Sequence, residues 1–351
     1  MATSRPSPPE PGSVSVGIIG ASGFTGAELL RLCALHPDLE VRFATGDTQA
    51  GTAVADLYPS LAAAYPETRF ESWSPDLLDG VDGVFLGLPH GASQAIVPDV
   101  VDRVKAVVDL GADFRLPDAG TYERWYGEVH TQPDLLDRFA YGLPELNRES
   151  MATTDCIAAP GCYPTAASLA LAPLVRAGVV ETTGVIVDAA SGVSGAGRPP
   201  KPTTTFCAVD EDVTAYGLLN HRHTSEMEMN LGASVLFTPH LVPMNRGILA
   251  TCYARPARSG LSTEELLGIQ SDFYADEPFV VVSERSPSTK ATLGSNAAHL
   301  TVRYDERTGT VLAIGAIDNL GKGASGQAVQ CMNLVLGLPE TAGLPVVGIY
   351  P

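Results

Sequence analysis

Residues 13–37 read SVSVGIIGASGFTGAELLRLCALHP, and this stretch decides the fold. Its first half is a short apolar run that ends in glycine. Its second half carries Leu29, Leu30, Cys33 and Ala34 at helical spacing. Between the two lie Gly20, Gly23 and Gly26, a GxxGxxG pattern. Glycines let the chain turn sharply from strand to helix. They also let a pyrophosphate approach the backbone N–H groups at the start of the helix. Ser22 and Thr25 add hydroxyl donors, and Phe24 lies in the same turn. At the first strand–helix junction of an α/β chain, this pattern points to a dinucleotide.

Working outward, LEVRFATG (39–46), VDGVFLGLP (81–89) and KAVVDLGAD (105–113) read as further buried strands alternating with helical segments. That alternation predicts a Rossmann-type, doubly wound parallel sheet. Pro89 and His90 fall just past one of these strands, at the ligand edge of such a sheet. The residue that reads the adenosine ribose is expected about 20 residues beyond the glycine turn. The stretch there, ATGDTQAG (44–51), offers Thr45 and Asp47 and no arginine. Taken by itself, the acid favours NAD, because it would repel a 2′-phosphate.

From residue 184 the pattern changes. GVIVDAASG, SVLFTPHLVP, RGILATCYARP and FVVVSE are strand-like, and AHLTVRYDERTGTVLAIGAID reads as two strands joined at Gly309. Few helices intervene; HTSEMEMNL (223–231) is one, with Thr224 as the expected cap. A second, α+β unit with a mixed sheet follows. The last periodic segment, GASGQAVQCMNLVLGL, is an amphipathic helix that needs a sheet to pack on. The chain is therefore expected to return to its first unit. This gives residues 1–13 as a disordered tail, 14–161 with 319–351 as the dinucleotide-binding unit, and 162–318 as the catalytic and oligomerisation unit.

Composition narrows the function. The chain has 351 residues and a formal net charge of −18, which argues against nucleic acid. No apolar run approaches the roughly 20 residues of a membrane span. The Pro/Ser-rich start lacks an apolar signal core, so a cytoplasmic location is expected. The six cysteines are scattered without a CxxC pair, which predicts neither disulfides nor a metal site.

One cysteine stands apart. In IAAPGCYPTAASLALAP (157–173), Cys162 falls where an Ala/Leu-rich helix begins. Unpaired N–H groups and the helix dipole lower a thiol's pKa at that position, and the same groups can hold an oxyanion. A nucleophilic thiolate needs an acid–base partner. Two of the seven histidines, His221 and His223, flank Arg222 in LLNHRHTSEMEM.

These segments resemble those of N-acetyl-gamma-glutamyl-phosphate reductases. The cysteine signature, GASGFTGAELLRL, SGVSGAGR, HRHTSEME and DNLGKGASGQAVQCMNL fall in that family's order over nearly the whole chain. The resemblance implies an NADPH-dependent enzyme that reduces N-acetyl-gamma-glutamyl phosphate to the 5-semialdehyde, in arginine biosynthesis, through a cysteine thioester. It implies Cys162 as nucleophile, His221 as acid–base group and Asn319 near the nicotinamide. Ser191 and Gly192 join the cofactor contacts. A substrate carrying phosphate and carboxylate needs cations, and the candidates are Arg115, Arg198, Lys201, Arg222 and Arg246, with Ser194 and His223 as further substrate contacts. The strand-rich unit is expected to pair sheet to sheet as a homodimer or homotetramer. The competing readings are a reductase of aspartyl or aminoadipyl phosphate, which differs only in pocket length, and a catalytically dead dinucleotide sensor.

Overall fold

A computed structural model describes residues 13–351; the expected tail lies outside the described residues except for Ser13. The first sheet contains β1 (Val14–Ile19), β2 (Leu39–Ala44), β3 (Gly83–Leu86), β4 (Ala106–Asp109), β5 (Phe139–Tyr141) and β6 (Cys156–Ala158). Its order is β2-β1-β3-β4-β6-β5 and every pairing is parallel. The order reverses at β1, so the carboxyl ends of β1 and β3 open onto a crevice where a dinucleotide binds in such sheets. The helix Phe24–Leu35 follows β1 directly.

The second sheet contains β7 (Val185–Gly192), β8 (Thr214–Ala215), β9 (Val235–Val242), β10 (Ile248–Ala254), β11 (Val280–Val282), β12 (Ala298–Asp305) and β13 (Thr310–Ile317). Its order is β11-β12-β13-β10-β7-β9-β8, with both parallel and antiparallel pairs. Period-two burial puts Val185, Val187, Phe237, Ala250, Cys252 and Ala313 on one face, in a core shared with the helix Cys162–Arg176. The opposite face leaves Ile186, Leu236 and Tyr253 exposed as register neighbours.

The C-terminal helix Gly326–Val335 is preceded by a wide turn over Gly321–Ser325. Its Ala328, Val329, Cys331 and Met332 share a core with Val16, Leu29 and Leu30 of the first sheet's layer. Lys322 in that turn is fully buried, with its Nζ 2.5 Å from Glu145 Oε1 and 2.7 Å from Gln330 Oε1. Both partners accept from the ammonium, as a buried charge requires. One sequence expectation is corrected: the His223–Leu231 helix starts at His223, with Arg222 at its cap and no capping side chain. Thr224 lies buried inside the first turn, because its N–H bonds the His221 carbonyl at 3.0 Å.

Candidate active site

The three glycines of the turn have three different reasons. Gly20 has a φ of +86°, and a Cβ there would lie 2.5 Å from the Gly87 carbonyl oxygen. A Cβ on Gly26 would lie 2.4 Å from Ala21, so only glycine lets the helix pack against the turn. Gly23 caps the helix in an extended conformation without a capping side chain. A Cβ there would meet nothing closer than 3.8 Å, so its surroundings are open. This is a cradle with free helix N–H groups and fits a pyrophosphate. Thr45 is buried and accepts the Gly20 N–H at 3.1 Å through Oγ1, so it shapes the turn. Asp47 is exposed in a short turn after β2.

Cys162 is the first residue of its helix, with Gly161 at the cap. Glu226 holds this corner. Its buried carboxylate accepts the Gly161 N–H at 2.9 Å, the Tyr141 hydroxyl at 2.7 Å and Arg115 Nη1 at 3.0 Å. The Gly321–Ser325 turn closes the other side, where a Cβ on Gly323 would come 2.9 Å from Cys162 Cβ. Glycine at 161 has a specific cause: a Cβ there would be 2.5 Å from His223 Nε2. The imidazole of His223 therefore occupies the space that a side chain at the cap would take.

Cys162, Tyr163, Ser191, Lys201, Tyr216, His221, Arg222 and His223 line one cavity of about 650 Å³. The two imidazoles are 4.8 Å apart, centre to centre. The His223 N–H donates to His221 Nδ1 at 3.2 Å, so the neutral ring of His221 carries its proton on Nε2. Nδ1 of His223 is buried with no hydrogen-bond partner among the described residues. A shallower depression of about 730 Å³ around Lys105, Arg138 and Asp155 gathers no comparable groups.

The expectation of a lowered thiol pKa is overturned. Burial pushes Cys162 up to about 11, and the Glu226 charge adds to that; Arg115 and the helix N–H groups oppose it without winning. Burial, helped by the Arg222 charge, also lowers His221 to about 4. His223 falls well below the ordinary imidazole value through burial and the positive charges around it. No imidazolium therefore stands beside the sulfur at neutral pH. The site rests as a thiol with two neutral imidazoles.

Several candidates named from sequence have other partners. Arg246 donates to both Glu28 oxygens at 3.0 and 2.9 Å and to Asp318 at 3.0 Å, which ties the second sheet to the first helix. Glu28 is held down to about 2: burial would raise it, but Arg31 and Arg246 outweigh that. Arg115 pairs with Glu226 behind the cysteine. Arg198 donates from Nε to the Ser22 carbonyl at 2.7 Å, in the glycine turn, so it faces the cofactor cradle. The Asn319 amide bridges Gly247 N–H at 2.7 Å and Ser194 Oγ at 2.9 Å, holding two loops together. His90 is bracketed by Asp113 at 3.1 Å and Glu128 at 2.6 Å. Among the named cations, Lys201 and Arg222 line the cavity. Sequence reading missed Glu226, although its place three residues after His223 puts both on one helix face.

A parallel sheet with a glycine cradle, joined to a mixed-sheet unit whose helix starts bring together a cysteine and histidines, defines the semialdehyde dehydrogenase class. Residues 15–154 match the family model described as semialdehyde dehydrogenase, NAD binding domain, and residues 162–319 match the dimerisation domain. Aspartate semialdehyde dehydrogenase II of Vibrio cholerae superposes with a TM-score of 0.69 at 16% identity, over 93% of this chain and 98% of that one. The Candida albicans enzyme, solved with NADP, gives 0.67 at 16% identity over 93% and 98%. The N-acetyl-gamma-glutamyl-phosphate reductase of Symbiobacterium thermophilum is 48% identical over 97% of this chain and all of its own. That of Desulforudis audaxviator is 48% identical over 96% and 100%. The chain belongs to the N-acetyl-gamma-glutamyl-phosphate reductase family.

Proposed function

We propose that this protein reduces N-acetyl-gamma-glutamyl phosphate to N-acetylglutamate 5-semialdehyde with NADPH, in arginine biosynthesis. The observation that carries the reading is one cavity lined by Cys162, at a helix start, together with His221 and His223. Cys162 attacks the acyl carbonyl; the C–S bond forms, the C–O bond to phosphorus breaks and phosphate leaves. The thiol proton moves as the C–S bond forms, because a thiol at about 11 is not ionised beforehand. His223, whose Nε2 lies against the helix start at Gly161, is the base that takes it. His221 presents Nε2–H to the carbonyl oxygen and, with the helix N–H groups, holds negative charge there. This divides between two residues the acid–base role expected of His221 alone, because the bond to Nδ1 fixes its tautomer. The glycine turn would hold NADPH, which would supply the hydride that reduces the thioester carbonyl to the thiohemiacetal. The His223 imidazolium then protonates that oxygen; on collapse the same ring takes the O–H proton back and returns it to sulfur as the C–S bond breaks, which releases the aldehyde and restores the Cys162 thiol.

The glycine turn, Ser22, Phe24, Thr25, Pro89, Ser191 and Gly192 hold the cofactor. Lys201 and Arg222 draw the anionic substrate against the protein's overall negative charge. Residues 14–161 and 319–351 form the cofactor unit, and 162–318 the catalytic unit. The exposed Ile186, Leu236 and Tyr253 support a homodimer through the open sheet face. No helix among the described residues is long and apolar enough to cross a membrane. The family reading supports a cytoplasmic enzyme acting on a small molecule. The test runs the reaction in reverse: with phosphate, NADP and N-acetylglutamate 5-semialdehyde, reduced cofactor accumulates. Faster turnover of aspartate or aminoadipate semialdehyde would overturn the substrate assignment; no turnover of any would overturn the enzyme.

A further inference from the structure

The stretch that should read the adenosine ribose, Thr45 to Thr52, contains no cation. The cations nearest the glycine turn are mostly engaged. Arg31 pairs with Glu28, and Arg246 pairs with Glu28 and Asp318; Arg69, exposed and also without an ion pair among the described residues, spends its terminal Nη1 on the Gly51 carbonyl, so its fork is not whole. Arg198 differs. It comes from the Gly/Ser-rich loop after β7, 176 residues further along the chain, and Nε donates to the Ser22 carbonyl at 2.7 Å. The Tyr58 hydroxyl donates to the same oxygen at 2.7 Å. Tyr58 belongs to the segment after β2, the strand whose end faces the adenosine ribose in this fold. Arg198 and Tyr58 therefore meet at one carbonyl, which sets the guanidinium beside the segment that follows β2. Arg198 has no ion pair among the described residues, and neither terminal amino group has a protein partner there.

We propose that Arg198 is the cofactor-specificity residue: its fork, anchored on Ser22 beside Tyr58, binds the 2′-phosphate of NADPH. This rests on the NADPH-dependent reading above. A planar guanidinium held by Nε leaves two parallel N–H donors for two phosphate oxygens. The contact reaches the cofactor from the second sheet's unit. Adenosine-side phosphate then bridges both units, and Asp47, exposed in its own turn, no longer decides between NADP and NAD.

The test measures binding to the full chain without turnover, by calorimetry with 2′,5′-ADP and with 5′-ADP. Arg198→Gln should weaken 2′,5′-ADP by about 30-fold or more, the worth of a bidentate charged contact, and change 5′-ADP by less than about threefold. Arg198→Lys keeps the charge but not the fork, and should lose part of the 2′,5′-ADP affinity and none of the 5′-ADP affinity. In turnover, Arg198→Gln should raise KM for NADPH and leave KM for NADH unchanged. Equal weakening of both nucleotides would assign Arg198 to the pyrophosphate and overturn the proposal, as would unchanged 2′,5′-ADP binding. Because the nucleotides bind without acyl phosphate, failure of the reductase assay and failure of this binding test are separate results.

Discussion

Replacing Gly161 by alanine tests the geometry of the site through one methyl group. The backbone there has φ −67° and ψ 151°, which any L-residue adopts, so the substitution adds no backbone strain. The added Cβ would lie 2.5 Å from His223 Nε2 and 2.8 Å from Cδ2 and Cε1, whereas ordinary contact begins near 3.4 Å. The imidazole must retreat by about 1 Å, the misplacement that typically costs ~10²-fold in rate. His223 packs against the helix start on a buried turn, so the shift should also cost about 1–3 kcal/mol of stability. The assay is kcat for semialdehyde oxidation, with thermal melting alongside, in the wild type and in a His223→Ala background. In that background the imidazole is absent, and Gly161→Ala should change kcat by less than about threefold. If Gly161→Ala lost the same factor in both backgrounds, its effect would not run through His223, and the proposed placement of the base beside the nucleophile would be refuted.

Cys162→Ser should abolish turnover while leaving nucleotide binding intact, as measured by calorimetry. With iodoacetamide at pH 7, peptide mapping should find the exposed Cys207 modified before Cys162, since burial holds the Cys162 thiol up near 11; activity loss should follow Cys162 labelling and accelerate as pH rises. His221→Asn and His223→Asn should each lower kcat by ~10²–10⁴, the usual worth of an acid–base group; a variant with unchanged kcat would remove that residue from the chemistry. His221 also makes stability depend on pH. Its folded value of about 4 lies below the 6.5 of an ordinary histidine, so between those values the unfolded chain binds a proton that the folded chain does not. Stability at this site is full above pH 6.5 and falls as pH drops toward 4, by up to about 1.4 kcal/mol per pH unit. Urea unfolding of His221→Asn should show a flatter decline between pH 7 and 5 than the wild type; parallel declines would refute the assignment.

Local pattern was enough for the frame. The strand–glycine–helix opening, the alternation behind it and the later strand-rich region determine two sheets of different kinds, because side-chain period and turn chemistry act over a few residues. Cys162 at a helix start and the pair His221 and His223 were legible for the same reason. Each resemblance-bearing motif is a short run whose chemistry survives in one dimension. The cap of the second site helix was misread, since Thr224 is drawn into the helix by the His221 carbonyl.

What each cation and proton does was decided only by tertiary structure. Arg115, Arg198 and Arg246 look alike as surface-type charges in sequence, yet one pairs with Glu226, one reaches Ser22 and one clamps Glu28 to Asp318. The helix start predicted a low-pKa thiol, but desolvation depends on what is folded over the sulfur, and here it wins. Charge and burial act through space across separations such as the 176 residues between Ser22 and Arg198, and no local reading of the chain carries that distance. Sequence alone determined which groups could do chemistry; packing determined which remain free to do it and in which protonation state.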